Sequence, residues 1–247
     1  MEILAVYDPT RQSSGIGLGT VNTLLNNANL QISGAPRLLT MREQTVQTNP
    51  PRMIDFYIPG MLGVAFLWLG VFGTAQAVVI QRETQVLRRL SVTSITRATM
   101  LTAEVAWRVS IGLLQTATFL IVGYFGFQVG VKDWLPFAAT VLLGTLVFVC
   151  LGYVLAGLGR SSESVMAIAQ LTQFPMMMLS GSIFSAEMLP GFFQPIVAAM
   201  PLTYLSNLLR QTMTGATLMY PMTQDFAVLG TWFIVLLLFA AKLWRWE

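Results

Sequence analysis

Between Asp55 and Arg82 the chain runs for 26 residues without a charge. About 20 apolar residues carry a helix across the ~30 Å hydrocarbon core of a bilayer. Backbone inside lipid must close its own hydrogen bonds, so a run of this kind spans as a helix. The first span is expected at about 56–80, and comparable apolar runs follow at about 106–128, 134–158, 165–183 and 226–244. Trp232, Trp244 and Trp246 suit the interfaces of the last span, and Lys242 can snorkel outward. Met188 to Leu209 is also uncharged but carries Pro190, Pro195 and Pro201. A spanning helix would lose backbone hydrogen bonds and kink at those prolines. The segment reads instead as a re-entrant helical hairpin buried against the bundle. The expected fold is thus an all-α polytopic membrane protein with five transmembrane helices plus that hairpin.

Composition narrows the chemistry. The chain is 55% hydrophobic and 10% charged, where a soluble domain carries about 25% charge. The net charge of +3 follows from arginines near membrane boundaries and asks for no nucleic acid. Histidine is absent from the sequence, which removes His-based triads, HExxH zinc sites and imidazole relays. Asp55, Asp133, Glu163, Glu187 and Asp225 read as single carboxylates at loop ends. No pair shares a face within a span, as a proton-coupled carrier or an intramembrane aspartyl protease requires. Cys150 lies inside an apolar run and, being the sole cysteine, forms no internal disulfide. There is no Walker A lysine motif, so catalytic, metal and cofactor sites are not expected on this chain.

Residues 1–54 differ from 55–247, and the two are read as separate domains with Asn49-Pro50-Pro51 at the boundary. Ile3 to Tyr7 reads as a strand closed by Asp8-Pro9-Thr10, and Gly15 to Asn27 as a helix. Gly15-x-Gly17-x-Gly19 lacks the Lys-Ser/Thr of a phosphate loop and reads as a turn. No apolar signal-peptide core lies between Met1 and Pro51. The Arg82–Arg108 connection holds Arg82, Arg88, Arg89, Arg97 and Arg108, and Arg160, Lys242 and Arg245 fall on its side of the membrane. Lys132 and Arg210 oppose them, so the positive-inside tendency makes this loop cytoplasmic. The amino-terminal tail, with Arg11, Arg37, Arg42 and Arg52, would then be outside, so either the tail is cytoplasmic and the charge bias misleads or a preceding span is absent from this chain.

Three segments invite a functional reading. After Gln81, the residues Val86, Leu87 and Leu90 form an apolar ridge rimmed by Arg82, Arg88 and Arg89. Such a loop either hugs the lipid while its arginines set topology, or presents a docking surface to a partner. Glu104 and Arg108 stand at i, i+4 in the favourable order, as an interfacial anchor or a functional pair. Phe174-Pro175-Met176-Met177-Met178 followed by Leu179-Ser180-Gly181-Ser182-Ile183-Phe184 suggests a kinked, closely packed helix end that either lines a greasy path or simply packs. Gly126/Gly130, Gly60/Gly63 and Gly70/Gly73 are weaker close-packing signals.

In this order the features resemble the membrane-spanning permease subunit of type-2 ABC exporters, which serve drug, lipid and glycan efflux. Arg82-Glu83 with Leu87, Leu90, Thr93 and Arg97 is similar to that family's "RE…L-x-R-L…T…R" segment, although Arg88 here follows Leu87 directly. Leu179 to Phe184 with Leu189-Pro190-Gly191, and Met200-Pro201-Leu202-Thr203-Tyr204 with Arg210 and Gly215, carry the rest of the likeness. The resemblance implies a coupling helix, made by Arg82, Glu83, Leu87, Arg88, Arg89, Leu90, Thr93 and Arg97, that docks on a cytoplasmic ABC ATPase. ATP and Mg would be bound by that partner and not by this chain. It also implies a second permease copy, identical or not, with the path between the two inside a plasma membrane. The outer hairpin and path would include Pro175, Met177, Ser180, Gly181, Phe184, Pro190, Pro201 and Tyr204. The family has six spans with an extracytoplasmic domain after the first; here the Ile3–Tyr7 strand looks like the opening of a small α+β version of it. The rival reading is a non-transporting membrane scaffold that recruits a cytoplasmic partner through the same loop.

Overall fold

The computed structural model describes residues 2–7, 20–21, 23–24, 40–45, 52–86, 96–159, 161–184, 189–215 and 220–243. The chain divides into two compact units, Met1–Met53 and Ile54–Glu247. In the first, β1 (Glu2–Tyr7) pairs in parallel with β2 (Thr40–Thr45), Glu2 opposite Thr40 and Tyr7 opposite Thr45. Parallel strands need a long crossover, and helical backbone occurs within it at Thr20, Val21, Thr23 and Leu24. The β2 strand was not legible, because Thr-Met-Arg-Glu-Gln-Thr lacks an apolar alternation. Gly15, Gly17 and Gly19 lie outside the described residues.

The second unit is built from helices. α1 (Met53–Glu83) is 31 residues long, or about 46 Å at 1.5 Å per residue. Its middle, Leu69–Gln76, is wound as a π-helix. After it come α2 (Arg97–Phe127), α3 (Trp134–Leu158), α4 (Ser162–Leu179), α5 (Gln194–Ala199), α6 (Pro201–Thr214) and α7 (Met222–Leu243). Among the described residues four of these, α1, α2, α3 and α7, are long and apolar enough to cross a membrane. The count rises to 5 if the bent pair containing α5 and α6 is taken as one span.

Two expectations change. The first and second spans overrun their expected starts or ends toward the charged loop, α1 to Glu83 and α2 from Arg97. The expected span at 165–183 is the 18-residue helix α4, about 27 Å long. It is diluted by Glu163, Gln170, Thr172 and Gln173. It stops at Leu179 because Gly181 takes a left-handed φ of 78° that only glycine adopts without strain.

Glycine sets how the core closes. A Cβ added at Gly70 would strike the Phe148 carbonyl, and one added at Gly152 would strike the Gly70 carbonyl. α1 and α3 therefore meet backbone to backbone, at the π-wound stretch of α1. Gly60 gives the same close approach to the Ser182 carbonyl, while Gly126 and Gly130 have nothing within 4 Å among the described residues. α6 is the innermost element: every residue from Pro201 to Met213 is buried. α2 and α7 lie outside, turning Leu114, Phe125, Leu238 and Phe239 outward, as lipid-facing surfaces do.

Candidate functional site

At the Glu83 end of the bundle, four helices are stitched by polar side chains. α1 finishes with Thr84 donating back to the Ile80 carbonyl through its N–H (2.9 Å) and hydroxyl (2.7 Å). Gln85 then turns the chain at a φ of 58°. Arg82 Nη1 donates to the Ala156 carbonyl at 3.3 Å, tying α1 to the end of α3. The Glu83 carboxylate accepts from the Ser162 backbone N–H at 2.7 Å. That N–H belongs to the first turn of α4, whose unpaired donors and dipole favour an anion. Ser161 and Ser164 complete the same helix start as a reciprocal capping box. Glu104 Oε1 accepts from Arg108 Nη2 at 3.0 Å and from Gln81 Nε2 at 3.4 Å, so the pair joins α2 to α1. Arg108 is buried.

Thus Arg82 and Glu83, read in sequence as docking residues, direct these hydrogen bonds into the chain. They fix the base of the charged loop. Leu87, Arg88, Arg89, Leu90 and Thr93 lie outside the described residues, as do Arg160, Glu187, Trp244, Arg245 and Trp246. Arg97 opens α2.

The opposite end holds a buried polar network organised by α6. Arg210 Nη2 donates to the Gly181 and Ser182 carbonyls at 2.8 and 3.0 Å, and Nε donates to the Phe56 carbonyl at 3.3 Å. Its guanidinium also sits 3.7 Å from the centre of the Phe56 ring, a cation–π contact. The hydroxyls of Ser180, Ser182 and Ser206 form a chain at 2.8 and 2.6 Å. Together these pin the turn after α4 to α6 and to the start of α1. A second knot follows on α6: Asp225 Oδ2 accepts from Asn207 Nδ2 at 2.6 Å and from Gln211 Nε2 at 2.9 Å, and both amides also donate to the Tyr220 carbonyl. Tyr204 stacks on Tyr220 at 5.4 Å and donates to the Ala198 carbonyl.

Asp225 is fully buried, and its Oδ1 and the Asn207 Oδ1 have no partner among the described residues. Burying a carboxylate this way is costly. An amide in its place keeps an acceptor for the two donors and removes the charge. Asp225→Asn is therefore expected to hold or raise the thermal midpoint in detergent. Asp225→Leu, which strips both amides of that acceptor, is expected to lower stability by about 2 kcal/mol. Thermal unfolding of both variants checks the pair.

The residues assigned in sequence to the outer region separate here. Ser180, Gly181, Pro201 and Tyr204 converge on α6. Pro175 and Phe184 face outward, and Pro190 caps the short turn Gly191–Phe193. Of the three methionines, Met176 is the buried one and Met177 is half-buried. Arg210 and Asp225, read in sequence as loop charges, are core residues. A signal existed in the polar recurrence Thr203, Ser206/Asn207, Arg210/Gln211, which marks one helix face at periods of three and four.

Residues 4–242 match the family model described as "ABC-2 family transporter protein". The chain is 29% identical over 164 residues to Nodulation protein J of Rhizobium leguminosarum bv. viciae, covering 65% of this chain and 62% of that protein. It is 26% identical over 171 residues to Nodulation protein J of Rhizobium meliloti (strain 1021), covering 68% and 64% respectively. It is also 26% identical over 201 residues to ABC transporter G family member 20 of Dictyostelium discoideum, covering 79% of this chain and 27% of that larger protein. The chain thus spans somewhat under two thirds of the length of the nodulation proteins it matches. With the family model matching nearly the whole sequence, the chain belongs to the ABC-2 family of transporter proteins.

Proposed function

We propose that this chain is the membrane-spanning subunit of an ATP-driven exporter, moving a hydrophobic or amphipathic substrate of drug, lipid or glycan type across the cell membrane. One observation carries the reading. The bases of α1, α3 and α4 are tied together at the root of the arginine-rich loop by Arg82 and Glu83, so force applied to that loop reaches three helices at once. The loop, with Leu87, Arg88, Arg89, Leu90, Thr93 and Arg97, docks on a separate cytoplasmic ATPase that binds ATP and Mg. Two such subunits face one another with the path between them, and ATP-driven closure of the ATPases rocks the bundles. No bond in the substrate is broken by this chain.

The same reading gives five crossings, with α4 as the fourth, and an outer re-entrant hairpin. It is supported by the 84° bend between Gly191–Ala199 and Pro201–Thr214. It is also supported by the hydrogen bonds from the Lys132 and Asp133 N–H groups to the Thr212 carbonyl, which bring the exit of α6 to the end where α3 begins. The β1–β2 unit is then an extracytoplasmic α+β segment. Replacing Leu87 and Leu90 together by Asp tests the docking. Co-purification of the ATPase is expected to fall at least tenfold, with loss of permease-stimulated hydrolysis. Unchanged co-purification contradicts the assignment. ATPase binding without ATP-dependent flux of lipophilic dyes in vesicles would point to a scaffold instead.

A further inference from the structure

We propose that Glu83 is a positioning residue that transmits movement of the arginine-rich loop into α4, and through α4 to the turn at the far end of the bundle. The proposal rests on the coupling role given to that loop above. The Glu83 carboxylate sits at the last residue of α1 and accepts the Ser162 N–H at 2.7 Å across 79 residues of sequence. It grips the first turn of α4 along the axis of that helix, where an anionic acceptor is favoured by the helix dipole. α4 is helical from Ser162 to Leu179, with Pro175 near its far end. Its far end passes directly into Ser180–Ser182, which is held by Ser206 and Arg210 of α6. A pull on Glu83 is therefore delivered to the outer turn through a single helix with a polar clasp at each end. One carboxylate oxygen of this exposed residue is engaged by its own subunit.

The geometry supplies a test that spares the loop. Ser162 is the first helical residue of α4, a position where proline is well accepted because its missing N–H has no intrahelical use. Ser161 before it is extended, at φ −131° and ψ 159°, the conformation a residue preceding proline prefers. Ser162→Pro thus deletes the donor to Glu83 and leaves helix and loop intact. The complex with the cognate ATPase is reconstituted in proteoliposomes, with Cys150 replaced by Ala. Spin labels are placed at Leu135 and Phe184, which are exposed side chains at the far end.

In the parent, ATP with vanadate is expected to shift the distance distribution between the labels. In Ser162→Pro and in Glu83→Ala the shift is expected to fall to under a third of the parent's, while Ser162→Pro still co-purifies with the ATPase. Glu83→Gln, which keeps an acceptor oxygen, is expected to restore most of the shift. A parental shift in Ser162→Pro overturns the proposal and leaves the docking assignment standing. Loss of ATPase co-purification on Ser162→Pro also overturns it, since the clasp would then serve docking. A parent that neither retains the ATPase nor shifts overturns the coupling reading itself, and this inference with it.

Discussion

Gly152→Val is expected to remove the folded protein from the monodisperse fraction in detergent, while Gly126→Val leaves it unchanged. The contrast follows from what each new side chain would meet. At Gly152 the first added carbon collides with the Gly70 carbonyl and crowds Thr74, and at Gly126 no described residue lies within 4 Å. Overpacking a core by a methyl group or two usually costs about 1–3 kcal/mol. Here the obstacle is backbone on a partner helix, which cannot rotate away, so the cost is expected to reach or exceed about 3 kcal/mol. A domain is stable by only about 5–15 kcal/mol, and α1 and α3 are the most buried of the four long apolar helices. Fluorescence-detected size exclusion after a heating series separates the two variants.

Arg210→Met is expected to produce the next largest loss. The substitution keeps an unbranched chain of similar reach but strips donors from the carbonyls of Phe56, Gly181 and Ser182. Each buried acceptor left unsatisfied costs about 1–3 kcal/mol, and the stacking over Phe56 goes as well. A total of about 3 kcal/mol or more is expected, seen as a clear fall in the thermal midpoint. Arg210→Lys recovers only part of this, since a point charge cannot reproduce the planar fork that reaches two elements at once. If Arg210→Met unfolds like the parent, the guanidinium is not what holds the outer turn in place.

The helices that cross the bundle were legible because lipid imposes one rule on long apolar runs, and 56–80 or 134–158 obey it without exception. Helix ends were less so. α1 continues past its last apolar turn to Glu83 because Arg82 and Glu83 find acceptors and donors on α3 and α4, and such long-range partners leave no trace in local composition. Asp225 and Arg210 were misplaced for the same reason: a single charge beside a turn looks solvated until the helix that buries it is known. Gly60 and Gly70 stood in the sequence beside Gly126 and Gly130, and spacing alone could not tell which pair had a neighbour. The π-wound stretch Leu69–Gln76 has no sequence signal that we recognise.

In the proposed mechanism the loop following α1 faces a separate ATPase. A cysteine placed at Val86, an exposed residue beyond the end of α1, in a background with Cys150 replaced by Ser, tests it most directly. With the cognate ATPase co-expressed, a thiol cross-linker is expected to join the two chains in a single species whose yield changes on adding ATP. Labelling of that cysteine by a membrane-impermeant maleimide applied outside intact cells, with no cross-link to the ATPase, would contradict the account.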